Sequence, residues 1–179
     1  MSPMSALPLT VEWSLLGLLH QRPMYGYEIH QQLSTAEGLG LVWRLKQSQL
    51  YALLAKLERR GYVTHTRVPQ KSHPPRKVFR LTEAGQDALR AWTEAPVEHG
   101  RDLRLEFLAK LYFARFAGAD AVQQLLERQR EACRSWCATW QRQAAGLREQ
   151  QPYAWLVYEF RLGQVQAMLE WLDVCEQTL

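Results

Sequence analysis

Along most of the chain, apolar residues recur at helical intervals. Between Pro8 and His20, Val11, Leu15, Leu18 and Leu19 fall on one face and Pro23 closes the run, which predicts a first helix. Tyr25, Ile29 and Leu33 follow at four-residue steps and give a short second helix ending toward Gly38 and Gly40. Leu50, Leu53, Leu54 and Leu57 match the i, i+3, i+4, i+7 template of a third helix, with Ser48 placed to cap it and Gly61 to stop it. The period then changes. Tyr62 to Val68 is rich in β-branched and aromatic residues and Lys77 to Leu81 alternates, with Pro69, Ser72, Pro74 and Pro75 between them, so this stretch reads as a two-stranded hairpin with a long tip. Thr82 caps a fourth helix whose buried face is Ala84, Ala88, Leu89 and Trp92, and Pro96 ends it.

Three helices, a hairpin and a further helix describe a winged helix-turn-helix, with the third helix as the recognition helix and the hairpin as the wing. Beyond Arg101 the patterns are all helical. Leu103, Phe107, Leu108 and Leu111 share a face before a boundary at Gly118 and Asp120. Val122, Leu125, Leu126, Gln129, Cys133, Trp136, Cys137 and Trp140 then line one long stripe. After Pro152, Leu156, Phe160, Gln164, Met168, Trp171, Leu172 and Cys175 line another. The fold class expected is mainly α: a winged helix-turn-helix DNA-binding domain over residues 1–98 and a helical dimerisation and regulatory domain over 99–179. Helices of this kind, with no sheet to cover them, leave a face for a second copy of the chain. The candidate dimer contacts are Leu103, Phe107, Leu111, Leu126, Trp136, Trp140, Phe160, Met168 and Trp171.

Charge sharpens this picture. The 179 residues carry a net charge of +4, but residues 41–80 hold ten of the 22 Lys and Arg against Glu58 as their one acid. That segment is +9, and the remainder, with twelve basic and seventeen acidic side chains, is −5. Segregated positive charge attracts a polyanion and releases its counterions on binding, so double-stranded DNA is the leading partner. The 47% hydrophobic content excludes a disordered chain. With no run approaching eighteen uncharged apolar residues and no basic flank in Met1 to Thr10, no membrane association is expected, and the location expected is the cytoplasm.

Residue types at the predicted interface suit base and phosphate recognition. Gln47, Ser48, Gln49 and Tyr51 occupy the first turn of the recognition helix, where Gln can pair with adenine and a serine at the positive helix end can hold a phosphate. Gln49, Ala52, Lys56 and Arg60 form a stripe opposite the leucines, with Lys56 and Arg60 as phosphate contacts. Arg44 and Lys46 precede the helix, and Arg67, Lys71, His73, Arg76 and Lys77 belong to the wing. Tyr25 and Tyr51 suit either DNA contact or core packing.

At this point the residues resemble a family. Gly26-Tyr27-Glu28-Ile29, the run from Gln47-Ser48-Gln49-Leu50-Tyr51 through Glu58-Arg59-Arg60-Gly61-Tyr62-Val63, and Arg76-Lys77-Val78-Phe79-Arg80-Leu81-Thr82-Glu83-Ala84-Gly85 are similar to the PadR family of bacterial transcriptional regulators, over residues 10 to 95. Phe79 stands where that family often has Tyr, and Ser48-Gln49 replaces a small residue followed by Thr or Ser. The resemblance implies an N-terminal winged helix joined to a helical C-terminal dimerisation region. The expected function is a dimeric, sequence-specific repressor that occupies a near-palindromic operator and responds to an effector.

Other chemistries find little support. The chain has no Gly-rich phosphate loop, no His-Glu-x-x-His and no Gly-x-Ser-x-Gly, so neither an enzyme nor a cofactor or metal is expected. Cys133, Cys137 and Cys175 read as small core residues, with a redox pair at Cys133 and Cys137 as the alternative. Trp92 is the candidate contact for a small aromatic effector. The competing functions are a helical adaptor and an aromatic-ligand sensor for which DNA binding is secondary.

Overall fold

The computed structural model describes residues 10–69 and 75–179. The wing-tip residues Lys71 and His73 lie outside the described residues. The chain divides into two compact units, one running to Thr93 and including Leu108–Phe113, the other comprising Glu94–Phe107 and Ala114–Leu179.

In the first unit, α1 (Thr10–Gln21) buries Leu15, Leu16, Leu18 and Leu19, an apolar surface that wraps most of the way round and marks a core helix. It leads to β1 (Met24–Tyr25), α2 (Gly26–Ser34), a 3₁₀ turn at Gly38–Leu41, and α3 (Gln47–Arg59). Strands β2 (Val63–Val68) and β3 (Arg76–Leu81) and helix α4 (Glu83–Glu94) follow. Ile29, Leu33, Leu50, Leu54 and Leu57 are fully buried, with Phe79 and Leu89 closing the core from the sheet and from α4.

The end of α3 follows from Gly61. Its φ of +77° lets Tyr62 N–H reach the Leu57 carbonyl at 3.1 Å while its own N–H bonds Glu58 at 3.0 Å, a double closure that turns the chain sharply into β2. Thr82 caps α4 as expected: its hydroxyl accepts from Gly85 N–H at 3.1 Å and donates to the Gly61 carbonyl at 2.7 Å. Gly85, not Ala84, takes the buried position, since a Cβ there would sit 2.2 Å from the Tyr62 carbonyl oxygen.

The sheet has three strands in the order β1-β3-β2, not two. Met24 pairs with Phe79 and Tyr25 with Val78, antiparallel. The sequence hides β1 because Tyr25 shares the helical step of Ile29 and Leu33, yet it stands outside α2 as the extended N-cap residue, ψ 151°.

The second unit contains a 3₁₀ turn at Gly100–Arg104, the ends of α5 (Glu106–Ala117), α6 (Ala119–Ala144), α7 (Leu147–Gln150) and α8 (Pro152–Thr178). The long helices α6 and α8 run antiparallel, each about 40 Å long. Near one end Arg130 reaches Asp173 at 3.0 Å and Glu176 at 2.5 Å, and toward the other Arg161 lies over the Trp140 ring at 5.6 Å. Leu125, Leu126, Cys133, Val165 and Leu172 fill the seam.

The candidate dimer contacts differ widely in exposure. Leu103, Phe107 and Leu126 are buried inside the second unit and Leu111 inside the first. Trp171 packs edge-on against Phe107 at 5.9 Å, and Met168 lies against Gly100. Periodicity reports burial without saying which chain does the burying. Of the candidates, Phe160 remains 67% exposed, while Trp136 and Trp140 are half-buried and stacked on each other at 6.4 Å.

Candidate nucleic-acid interface

The first turn of α3 is exposed at Gln47, Ser48, Gln49 and Tyr51, the side chains expected to face a partner. Ser48, however, is not the cap. The helix begins one residue earlier, with Lys46 as the extended N-cap residue, because the Gln49 side-chain carbonyl accepts from Lys46 N–H at 3.2 Å. That bond holds the carbonyl on the backbone, while the Gln49 amide remains a donor. Ser48 stands inside the first turn, among amides that have no helical partner and suit an anion.

Tyr51 lies on the bare backbone of Gly26, where a Cβ would meet its ring at 2.7 Å, and stays 43% exposed. Tyr25 stacks on Tyr27 at 5.7 Å, and the Arg76 guanidinium sits 5.7 Å from the Tyr27 ring centre. Tyr25, Gly26, Tyr27, Tyr51, Pro75, Arg76 and Lys77 together line one open groove between α2, the start of α3 and the wing. Arg44, Lys46 and Gln49 line a second groove at the turn between α2 and α3. Glu28 fixes the start of α2. Its carboxylate accepts from Tyr25 N–H at 2.7 Å and from Arg22 at 3.1 Å, and these bonds, the first above all, hold it below the usual carboxylate range.

On the wing, Arg67 stands directly opposite Lys77 and Val68 opposite Arg76. Facing like charges are destabilising in isolation and become favourable beside a polyanion.

Lys56 and Arg60 line neither groove. Lys56 turns inward, its Nζ 2.8 Å from Oε1 of Glu12, which is fully buried on α1. Neither Glu12 oxygen has a further hydrogen-bond donor among the described residues, so the ion pair with Lys56 is what compensates its burial. Arg60 is exposed but caps the far end of α3, about 17 Å along the axis from Gln49. Tyr27, 48% exposed, also lines the first groove, and the Tyr25-Gly-Tyr spacing, which sets two aromatics beside a residue without a side chain, is its signal in the sequence.

Trp92 is a core residue, 8% exposed, stacked on Trp13 at 5.4 Å with the Lys110 ammonium 5.2 Å from its ring. Burial raises the thiol pKa values of Cys133, Cys137 and Cys175, the opposite of what a reactive thiolate needs. Among the described residues no group of His, Cys, Asp and Glu is placed to hold a metal, and no helix is long and apolar enough to cross a membrane.

Comparison with known proteins agrees with this geometry. Residues 15–91 match the transcriptional regulator PadR-like family, and residues 103–179 match the family described as virulence activator alpha C-term. The negative transcriptional regulator PadR of Bacillus subtilis is 31% identical over 103 residues, 58% of this chain and 56% of that protein. The probable transcriptional regulator Rv1176c of Mycobacterium tuberculosis is 26% identical over 88 residues, 49% of this chain and 46% of that one. The chain thus spans about half the length of the curated relatives it matches. A crystal structure of B. subtilis PadR in complex with operator DNA aligns with a TM-score of 0.49 at 23% identity, over 97% of this chain and 98% of that one. Over its winged-helix residues 15–91, the chain is thus similar to the transcriptional regulator PadR-like family.

Proposed function

We propose that the protein is a dimeric, sequence-specific transcriptional regulator of the cytoplasm that represses by occupying a near-palindromic operator in double-stranded DNA. Residues 1–98 bind the DNA and residues 99–179 join two copies. The observation that carries this reading is the groove in which three tyrosines, Arg76 and Lys77 meet the exposed first turn of α3, within a segment of charge +9. A helix start with free amides fits the major groove, and flanking cations fit the phosphates on either side. Repression is supported by the name of the B. subtilis relative, a negative regulator.

Dimerisation is supported by α8. Tyr153, Leu156 and Phe160, three or four residues apart, are 81%, 56% and 67% exposed, an apolar stripe that a second copy would cover. Two recognition helices about 34 Å apart read two half-sites and multiply specificity.

The wing supplies the test. Arg76→Ala and Lys77→Ala are each expected to weaken binding to every duplex and to lower the slope of log affinity against log salt by about one. Fluorescence anisotropy with a labelled duplex from the gene's own upstream region measures both. Unchanged slopes in both variants would contradict the wing's assignment.

A further inference from the structure

Glu58 is the one acid among residues 41–80, and by charge alone it opposes a polyanion. Its surroundings give it another task. It sits in the last turn of α3, and its carboxylate contacts Nδ1 of His65 on β2. An ionised carboxylate only accepts, so the ring donates from Nδ1. His65 also packs against Phe79, its direct partner on β3, with ring centres 5.9 Å apart, and Phe79 is 3% exposed. The imidazole is therefore held by the core on one side and by the recognition helix on another. Two residues further along the same strand face stand Arg67 and Lys77, the facing cations of the wing.

We propose that Glu58 is a positioning residue for DNA binding: through His65 it ties the wing to α3 and sets the angle at which Arg67, Arg76 and Lys77 meet the phosphates. This inference rests on the DNA-binding reading. It predicts a sign opposite to that of simple electrostatics. If Glu58 acted by charge, Glu58→Leu would tighten binding and steepen the salt dependence. If it positions the wing, Glu58→Leu, which removes the acceptor as well as the charge, weakens binding.

The experiment is anisotropy titration of the full chain against the labelled upstream duplex, with circular dichroism melts of each variant. Glu58→Leu and His65→Leu are each expected to weaken binding about tenfold. His65→Asn, which returns an N–H near the Nδ1 position, is expected to restore affinity to within about twofold of the parent. In a Lys77→Ala background the effect of Glu58→Leu is expected to shrink, because the contact it positions is gone. Tighter or unchanged binding by Glu58→Leu, or full additivity with Lys77→Ala, overturns the clamp alone. Should Glu58→Leu fail to fold, equal affinities of His65→Leu and His65→Asn overturn it instead. A parent protein that binds no duplex at low salt removes the DNA-binding reading, and the clamp with it.

Discussion

Lys56→Ala is expected to destabilise the winged-helix unit by about 3 kcal/mol, read as a lower midpoint in urea unfolding. Glu12 is fully buried and pairs with Lys56. Removing the lysine leaves a carboxylate in the core without a counter-charge or a donor, the costly half of a broken buried pair. The lysine side chain is 30% exposed, so solvent reaches the remaining carboxylate in part and the loss falls at the lower end of the range for such pairs. Replacing both residues with apolar ones of similar size, Glu12→Leu with Lys56→Met, is expected to recover most of the loss. The alternative, in which Lys56 holds a phosphate, predicts an unchanged midpoint and a salt slope lower by about one. An unchanged midpoint would sink the ion pair as a structural element.

Phe160→Glu is expected to convert the protein from dimer to monomer in sedimentation at micromolar concentration, and to weaken binding to a two-half-site duplex at least about a thousandfold. Phe160 is exposed in the single chain, so the substitution adds a charge where the monomer has only solvent, and the melting midpoint of the fold should move little. In the dimer the same carboxylate would be forced against an apolar stripe. Trp171, packed on Phe107, makes a poorer probe, because a charge there would damage the unit before it reached the interface. An intact Phe160→Glu dimer would remove α8 from the contact surface.

Much of the winged helix was legible in the sequence because its signals are local. The leucines of α3, the Gly61 stop and the Thr82 cap each depend on residues a few positions apart, and the structure keeps all three. What was hidden depends on partners distant in the chain. Nothing near Lys56 indicates that Glu12, forty-four residues earlier, waits beneath it. A two-residue strand such as β1 has no periodicity of its own and exists only because β3 pairs with it. The displacement of the cap from Ser48 to Lys46 is subtler. A glutamine at the third helical position reaches back to bond the residue before the helix, a signature that a cap-forming serine beside it obscured. In the second unit, the stripe through Leu125, Leu126, Gln129 and Cys133 is buried, whereas Leu156, Phe160 and Gln164 of the last stripe are exposed, because an antiparallel partner in the same chain and a second copy leave the same periodic trace.

The central claim is that two protomers press their cationic wings and recognition helices against one duplex. Its most direct test is the affinity of the parent protein for its own upstream duplex as a function of salt, with the stoichiometry measured on the same complex. Arg44, Lys46, Arg67, Arg76 and Lys77 from each of two chains predict two protomers per duplex and a log–log slope of about −9. A single protomer per duplex, or an affinity that hardly changes with salt, would contradict the account.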